Sequence, residues 1–153
     1  MEWAAVTATA LGAIVGVLSS SASDRLRWRR DTSEKDRETL RTIYAEFLDA
    51  VTQARNTISH AAHDRNDSLE VRARAARGAL TEGGVYEKQY RLELSAPPGV
   101  LPLAGNVLAA LLTLRDVVRH GASPMDAEYN VAWAKLYDAR TALLGAMRSS
   151  LQR

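Results

Sequence analysis

From Trp3 to Ser23 the chain carries no charged residue. Those 21 positions, wound as a helix at about 1.5 Å per residue, reach roughly 31 Å, the thickness of a bilayer's hydrocarbon core of about 30 Å. The apolar centre runs from Ala4 to Leu18, and Arg25, Arg27, Arg29 and Arg30 follow it, with Trp28 among them. Met1 and Glu2 lie before the uncharged run. Basic residues stay on the cytoplasmic side of a membrane, so the expected topology is N-terminus out and C-terminus in. The same four arginines would meet lipid headgroups, anionic ones above all.

Three other readings compete for this segment. A signal peptide has its basic residues before the apolar run, whereas here they follow it; Ser21-Ala22-Ser23 nonetheless offers small residues for cleavage, which would release a secreted helical domain. The richness in Ala, Gly, Thr and Ser also fits a buried helix of a soluble protein. A helix lying flat on a membrane needs a polar face, which is missing here. Within the segment, Ala4, Ala8, Gly12, Gly16 and Ser20 recur every fourth residue. Such a ridge of small side chains lets two helices approach closely in lipid, so homodimerisation or packing against a partner's membrane helix is expected.

The remaining chain reads as all-α. The expected organisation is a transmembrane helix over 1–23, a basic juxtamembrane segment over 24–33 and an up-down-up-down four-helix bundle over 34–153, placed in the cytoplasm. Ser33-Glu34-Lys35-Asp36 has the form of a capping box. Leu40, Ile43, Tyr44, Phe47, Val51, Ala54 and Ile58 then keep helical spacing up to the turn-like Asp64-Arg65-Asn66-Asp67. The second helix starts at Asp67 or Ser68, with an inner stripe of Leu69, Ala73, Ala76 and Leu80, continued by Tyr86, Tyr90 and Leu94. Gly83-Gly84 interrupts it, and Ala96-Pro97-Pro98-Gly99 ends it. From Val100 to His120 apolar residues wrap most of the circumference, which marks a central helix. This stretch resembles a second membrane span, but Pro102 at one end and Arg115, Asp116 and Arg119 at the other shorten it. Gly121 is placed as a C-cap, and Ser123-Pro124-Met125-Asp126 as the start of the last helix, whose stripe is Tyr129, Ala132, Trp133, Leu136, Leu143, Met147 and Leu151. Short connections imply antiparallel neighbours.

Composition closes several routes to function. There is no Cys, which excludes disulfides, thiolate catalysis and thiolate metal sites. A net charge of +2 draws no nucleic acid by a global field. No glycine-rich phosphate loop or nucleophile elbow occurs, and no cofactor is expected. His60 and His63 stand one turn apart, with Asp64 and Asp67 following, a spacing that suits a metal. They fall opposite Phe47 and Val51, so a solvated helix end is preferred and no metal site is expected.

One pattern occurs twice. Arg55-Asn56-Thr57-Ile58-Ser59-His60 and Arg115-Asp116-Val117-Val118-Arg119-His120 each run Arg, polar residue, three more, His. This resembles the motif of the HEPN ribonucleases, small helical domains that cut RNA without metal. The resemblance covers six residues per copy. It implies acid–base roles for His60 and His120 and phosphate stabilisation by Arg55 and Arg115, in a cleft usually shared by two domains. In that family the motif opens a late helix, whereas both copies here stand near helix ends. The alternative stays open that these side chains complement the dipole at helix C-termini. The anchor, the Arg/Trp-rich stretch from Arg25 to Arg30 and the helix with Tyr44 to Leu48 also resemble a loose group of uncharacterised small proteins from GC-rich bacteria, which implies architecture and no activity. Together these features favour an interaction or structural module over an enzyme. Its expected partners are membrane lipid, a second copy or a partner's membrane helix, and a cytoplasmic protein. A membrane-tethered ribonuclease is the alternative.

Overall fold

The computed structural model describes residues 34–64 and 66–152. Among these residues every regular element is a helix. The elements are α1 (34–63), α2 (Leu69–Glu82), α3 (Val85–Ser95), α4 (Leu101–Arg119) and α5 (Ala127–Leu151). They make four helical arms, the second of which is split at Gly83-Gly84 into α2 and α3. Residues 40–153 form one compact unit.

The apolar periodicity of α1 is realised closely. Tyr44, Phe47, Ala50, Val51, Ala54 and Ile58 are buried, and Leu40 and Ile43 pack at their edge. Helix α4 contributes Ala104, Val107, Ala110, Leu111, Leu114 and Val118 to the same core. It touches α2, α3 and α5, which accounts for apolar residues on so much of its circumference. By length and composition α4 could cross a membrane. Helices α1 and α5 run antiparallel. Tyr44 Oη and Ser150 Oγ meet at 2.9 Å at one end, and the Tyr129 hydroxyl donates to Ser59 Oγ (3.2 Å) at the other.

The helix ends follow local chemistry. Ser68 caps α2, its Oγ accepting from the Val71 N–H. At the end of α4 the Gly121 N–H bonds the Val118 carbonyl and the Ala122 N–H bonds that of Val117. This is a Schellman closure, and it puts Gly121 at φ +104°. Before α5, Asp126 accepts from both the N–H (2.7 Å) and the hydroxyl (2.8 Å) of Ser123. The Ser-Pro-Met-Asp signal therefore closes a reciprocal turn, and the regular helix begins only at Ala127. These two donors hold the Asp126 carboxyl below the ordinary aspartate range.

Two expectations about the second arm are corrected. Leu69 is 52% exposed, and the inner face of α2 is Ala73, Ala76, Ala79 and Leu80. Tyr86, Tyr90 and Leu94 do not continue that face: they are 47%, 64% and 72% exposed. The residues of α3 that reach the core are Val85 and Leu92. The cause lies in Gly84, which sits at φ +65° and restarts the helix in a new phase. On α3 the half-buried Lys88 reaches Glu46 of α1 at 3.2 Å, where Arg91 joins it at 3.3 Å.

One arginine ties separate segments together. Arg72 of α2 donates from Nε to the Ala61 carbonyl (2.7 Å) and from Nη2 to the carbonyls of Ala62 (3.4 Å) and Ala122 (3.2 Å). The last turn of α1 and the α4–α5 connection thus meet at one end of the bundle.

Candidate functional site

The anchor over 1–23, the ridge from Ala4 to Ser20 (Ala4, Ala8, Gly12, Gly16 and Ser20) and the basic residues Arg25, Arg27, Arg29 and Arg30 all lie outside the described residues. The two Arg/His pairs lie within them, and their local geometry repeats. Arg55 directs Nε (3.2 Å) and Nη2 (2.7 Å) onto Asn56 Oδ1. Arg115 does the same to Asp116 Oδ1, with Nε at 2.9 Å and Nη2 at 2.8 Å. In each copy the polar residue after the arginine holds its guanidinium edge.

The histidines take a different direction from their arginines. Five residues along a helix turn the side chain by about 140°. His60 accordingly lines an open groove with Thr57, His63, Asp64, Asp67 and Ala75 of α2, while Arg55 faces α5. His120 donates from Nδ1 to the Asp116 carbonyl (2.7 Å), and His63 from Nδ1 to the Ser59 carbonyl (2.8 Å). A carbonyl only accepts, so each ring carries its proton on Nδ1; at Asp116 the ring adds to the bond the same carbonyl already accepts from the His120 N–H. His60 and His120 stand on segments that Arg72 brings to the same end of the bundle. Among the described residues no three His, Asp or Glu side chains are grouped to hold a metal.

A site not expected from the sequence lies between α1 and α5. Trp133, Leu136, Tyr137 and Arg140 follow one another along one face of α5, and Arg55 closes the notch from α1. The cavity is about 90 Å³. Its aromatic wall is built in layers. His63 meets Tyr129 edge-on at 6.5 Å between centroids, Tyr129 stacks on Trp133 at 5.8 Å, and the Arg55 guanidinium lies 5.5 Å above the Trp133 ring. Stacking and the cation–π contact fix Trp133 and Arg55 together.

Arg140 is the unusual member. It stands four residues after Leu136 and three before Leu143, both buried, and so occupies a core-facing register position of α5. Its Nε is sealed from solvent and has no hydrogen-bond partner. Among the described residues no carboxylate pairs with Arg140 or with Arg55. Two guanidinium groups without a carboxylate partner therefore line one small, aromatic-walled cavity. The signal was present in the sequence as the gap at 140 in the apolar stripe of α5, but periodicity alone does not say what an arginine there would face.

A second exposed feature is the Tyr86, Tyr90, Leu94 face of α3, one side chain per turn along the helix. Comparison with family models, with curated proteins and with solved structures gave no match for this chain.

Proposed function

We propose that the chain is a single-pass, membrane-anchored interaction module. In this reading residues 1–23 cross the bilayer with the N-terminus outside, and Arg25, Arg27, Arg29 and Arg30 hold the cytoplasmic interface. Two copies associate along the Ala4, Ala8, Gly12, Gly16, Ser20 ridge, and each presents an up-down-up-down bundle to a cytoplasmic protein. The antiparallel pairing of α1 with α5 and the short connections support that topology.

The observation that carries the interaction role is the exposed face of α3. Tyr86, Tyr90 and Leu94 form a helical i, i+4, i+8 row in contact with water, the pattern by which one helix is read by another surface. The anchor is tested by fractionating cells that express the full chain. The expected result is a full-length protein in the membrane pool, resistant to alkaline extraction; recovery in the soluble pool overturns the reading. Gly12→Ile together with Gly16→Ile is expected to abolish cross-linked dimers, and Tyr90→Glu with Leu94→Glu to abolish partner recovery while leaving helicity intact.

A second reading is a membrane-tethered, metal-independent ribonuclease like the HEPN enzymes. It is favoured by the matching guanidinium geometry of the two Arg/His copies and by their position at one end of the bundle. Purified protein with single-stranded RNA should then give cleavage without added metal. That activity is expected to vanish in His60→Ala, His120→Ala or the double variant; cleavage that persists in the double variant rules out this site.

A further inference from the structure

We propose that the notch between α1 and α5 binds a small molecule bearing a carboxylate on an aromatic or apolar body. This inference stands apart from the interaction role and does not rest on it. A buried polar donor without an acceptor costs free energy, on the order of 1–3 kcal/mol and more for a charged group, so native chains retain few of them. The Nε of the half-buried Arg140 is one, placed where the α5 stripe otherwise carries apolar residues. The same chain shows what such an edge holds when satisfied: Arg55 and Arg115 each direct Nε and Nη2 onto a side-chain oxygen. At Arg140 no protein oxygen takes that place, and its side chain lines the cavity.

The rest of the lining selects the body of the ligand. Trp133, Leu136 and Tyr137 offer flat and apolar surface, which rewards a ring or a short hydrocarbon. A cavity of about 90 Å³ admits the oxyanion and the first atoms of its carrier; the remainder lies against the exposed Tyr137 ring. Arginine forks match a carboxylate by two parallel bonds. Arg55, already seated over Trp133, adds the second positive charge and completes the closure.

The test uses the full chain with Trp3→Phe and Trp28→Phe, so that emission reports Trp133 alone. Benzoate, its neutral isostere benzamide, and phenyl phosphate are titrated in turn. Benzoate is expected to change the emission saturably, with benzamide at least tenfold weaker. Arg140→Gln should weaken benzoate at least tenfold with far-UV circular dichroism unchanged. If that variant fails to fold, Arg55→Gln, at the rim of the notch, is expected to weaken benzoate several-fold. The proposal is overturned if benzoate gives no saturable change, if benzamide binds as well as benzoate, or if the arginine variants bind benzoate as the parent does. Tighter binding of phenyl phosphate than of benzoate would overturn the carboxylate assignment in favour of a phosphate monoester.

Discussion

Replacing Arg72 by Ala removes a side chain that joins α2, the end of α1 and the α4–α5 connection. The bond from Nε to the Ala61 carbonyl is 2.7 Å and partly buried. A hydrogen bond from a charged donor contributes about 1.5–3 kcal/mol. The Ala122 bond at 3.2 Å is longer, and the Ala62 bond at 3.4 Å lies near the outer limit and adds little. The cation also faces the negative end of α1, an effect of about 0.3–1 kcal/mol. Water can reach part of the freed carbonyls and recover some of the loss. Arg72→Ala is therefore expected to cost about 3 kcal/mol in all, which for a chain of this size lowers Tm by roughly 9 °C. Arg72→Lys keeps the charge but not the fork and should fall between the two. The assay is urea unfolding of the full chain in mild detergent, followed by far-UV circular dichroism. Arg74→Ala is the control. Arg74 lies nearby on the same helix, but its 3.1 Å pair with Glu70 is exposed, and such i, i+4 pairs contribute about 0.3–0.5 kcal/mol. If Arg72→Ala costs no more than Arg74→Ala, the reasoning that this clamp stabilises the bundle fails.

Three further outcomes follow from the same geometry. Gly121→Ala should destabilise by about 1–2 kcal/mol, read as a shift in urea midpoint, because a side chain is strained at φ +104°. Phe47→Ala should cost about 3–5 kcal/mol by the same measurement, since Phe47 is 0% exposed at the centre of the core. Asp126 has its carboxyl held low by the Ser123 donors, so its contribution is present above the unfolded aspartate value of about 3.9 and is lost as pH falls through the lower folded value. Asp126→Asn is accordingly expected to be less stable than the parent at neutral pH, with the gap closing below about pH 4.

Much of the fold is legible in the order of the amino acids, and the reasons are local. The α1 stripe from Tyr44 to Ile58, the breadth of apolar residues on α4, the breaks at Gly83-Gly84 and Ala96 to Gly99, and the closure at Gly121 each rest on spacing or backbone geometry within a few residues. What escapes depends on rotation and on distant partners. A left-handed Gly84 changes the phase of the next helix, so extending the α2 stripe through it turns the α3 face the wrong way. The start of α5 falls later than the cap signal suggests, because the Ser123–Asp126 turn uses capping chemistry without yet being regular helix. The notch is hidden for a different reason. Its two arginines lie on separate helices 85 positions apart, and only the packing of α1 on α5 shows that neither has a carboxylate. For the Arg/His pairs the spacing is legible, but the divergence of Arg55 from His60 follows from the helix continuing unbroken through the motif.

The interruption at Gly83-Gly84 also sets how firmly the pieces of this molecule are held. Helix α3 is fastened by Val85 and Leu92, each contributing about 1.5–3 kcal/mol when buried, and by the pairs to Glu46. That total of about 3–6 kcal/mol lies toward the low end of the 5–15 kcal/mol of a whole domain, so α3 is expected to open locally before the rest unfolds. Its amides should exchange with solvent by this local route, ahead of those in α1 and α4. The row of Tyr86, Tyr90 and Leu94 is thus carried on a segment latched by only two buried side chains of its own. Whatever grips that row acts on the latch as well: it either seals α3 against α1 or lifts it away, and amide exchange in α3 would report which.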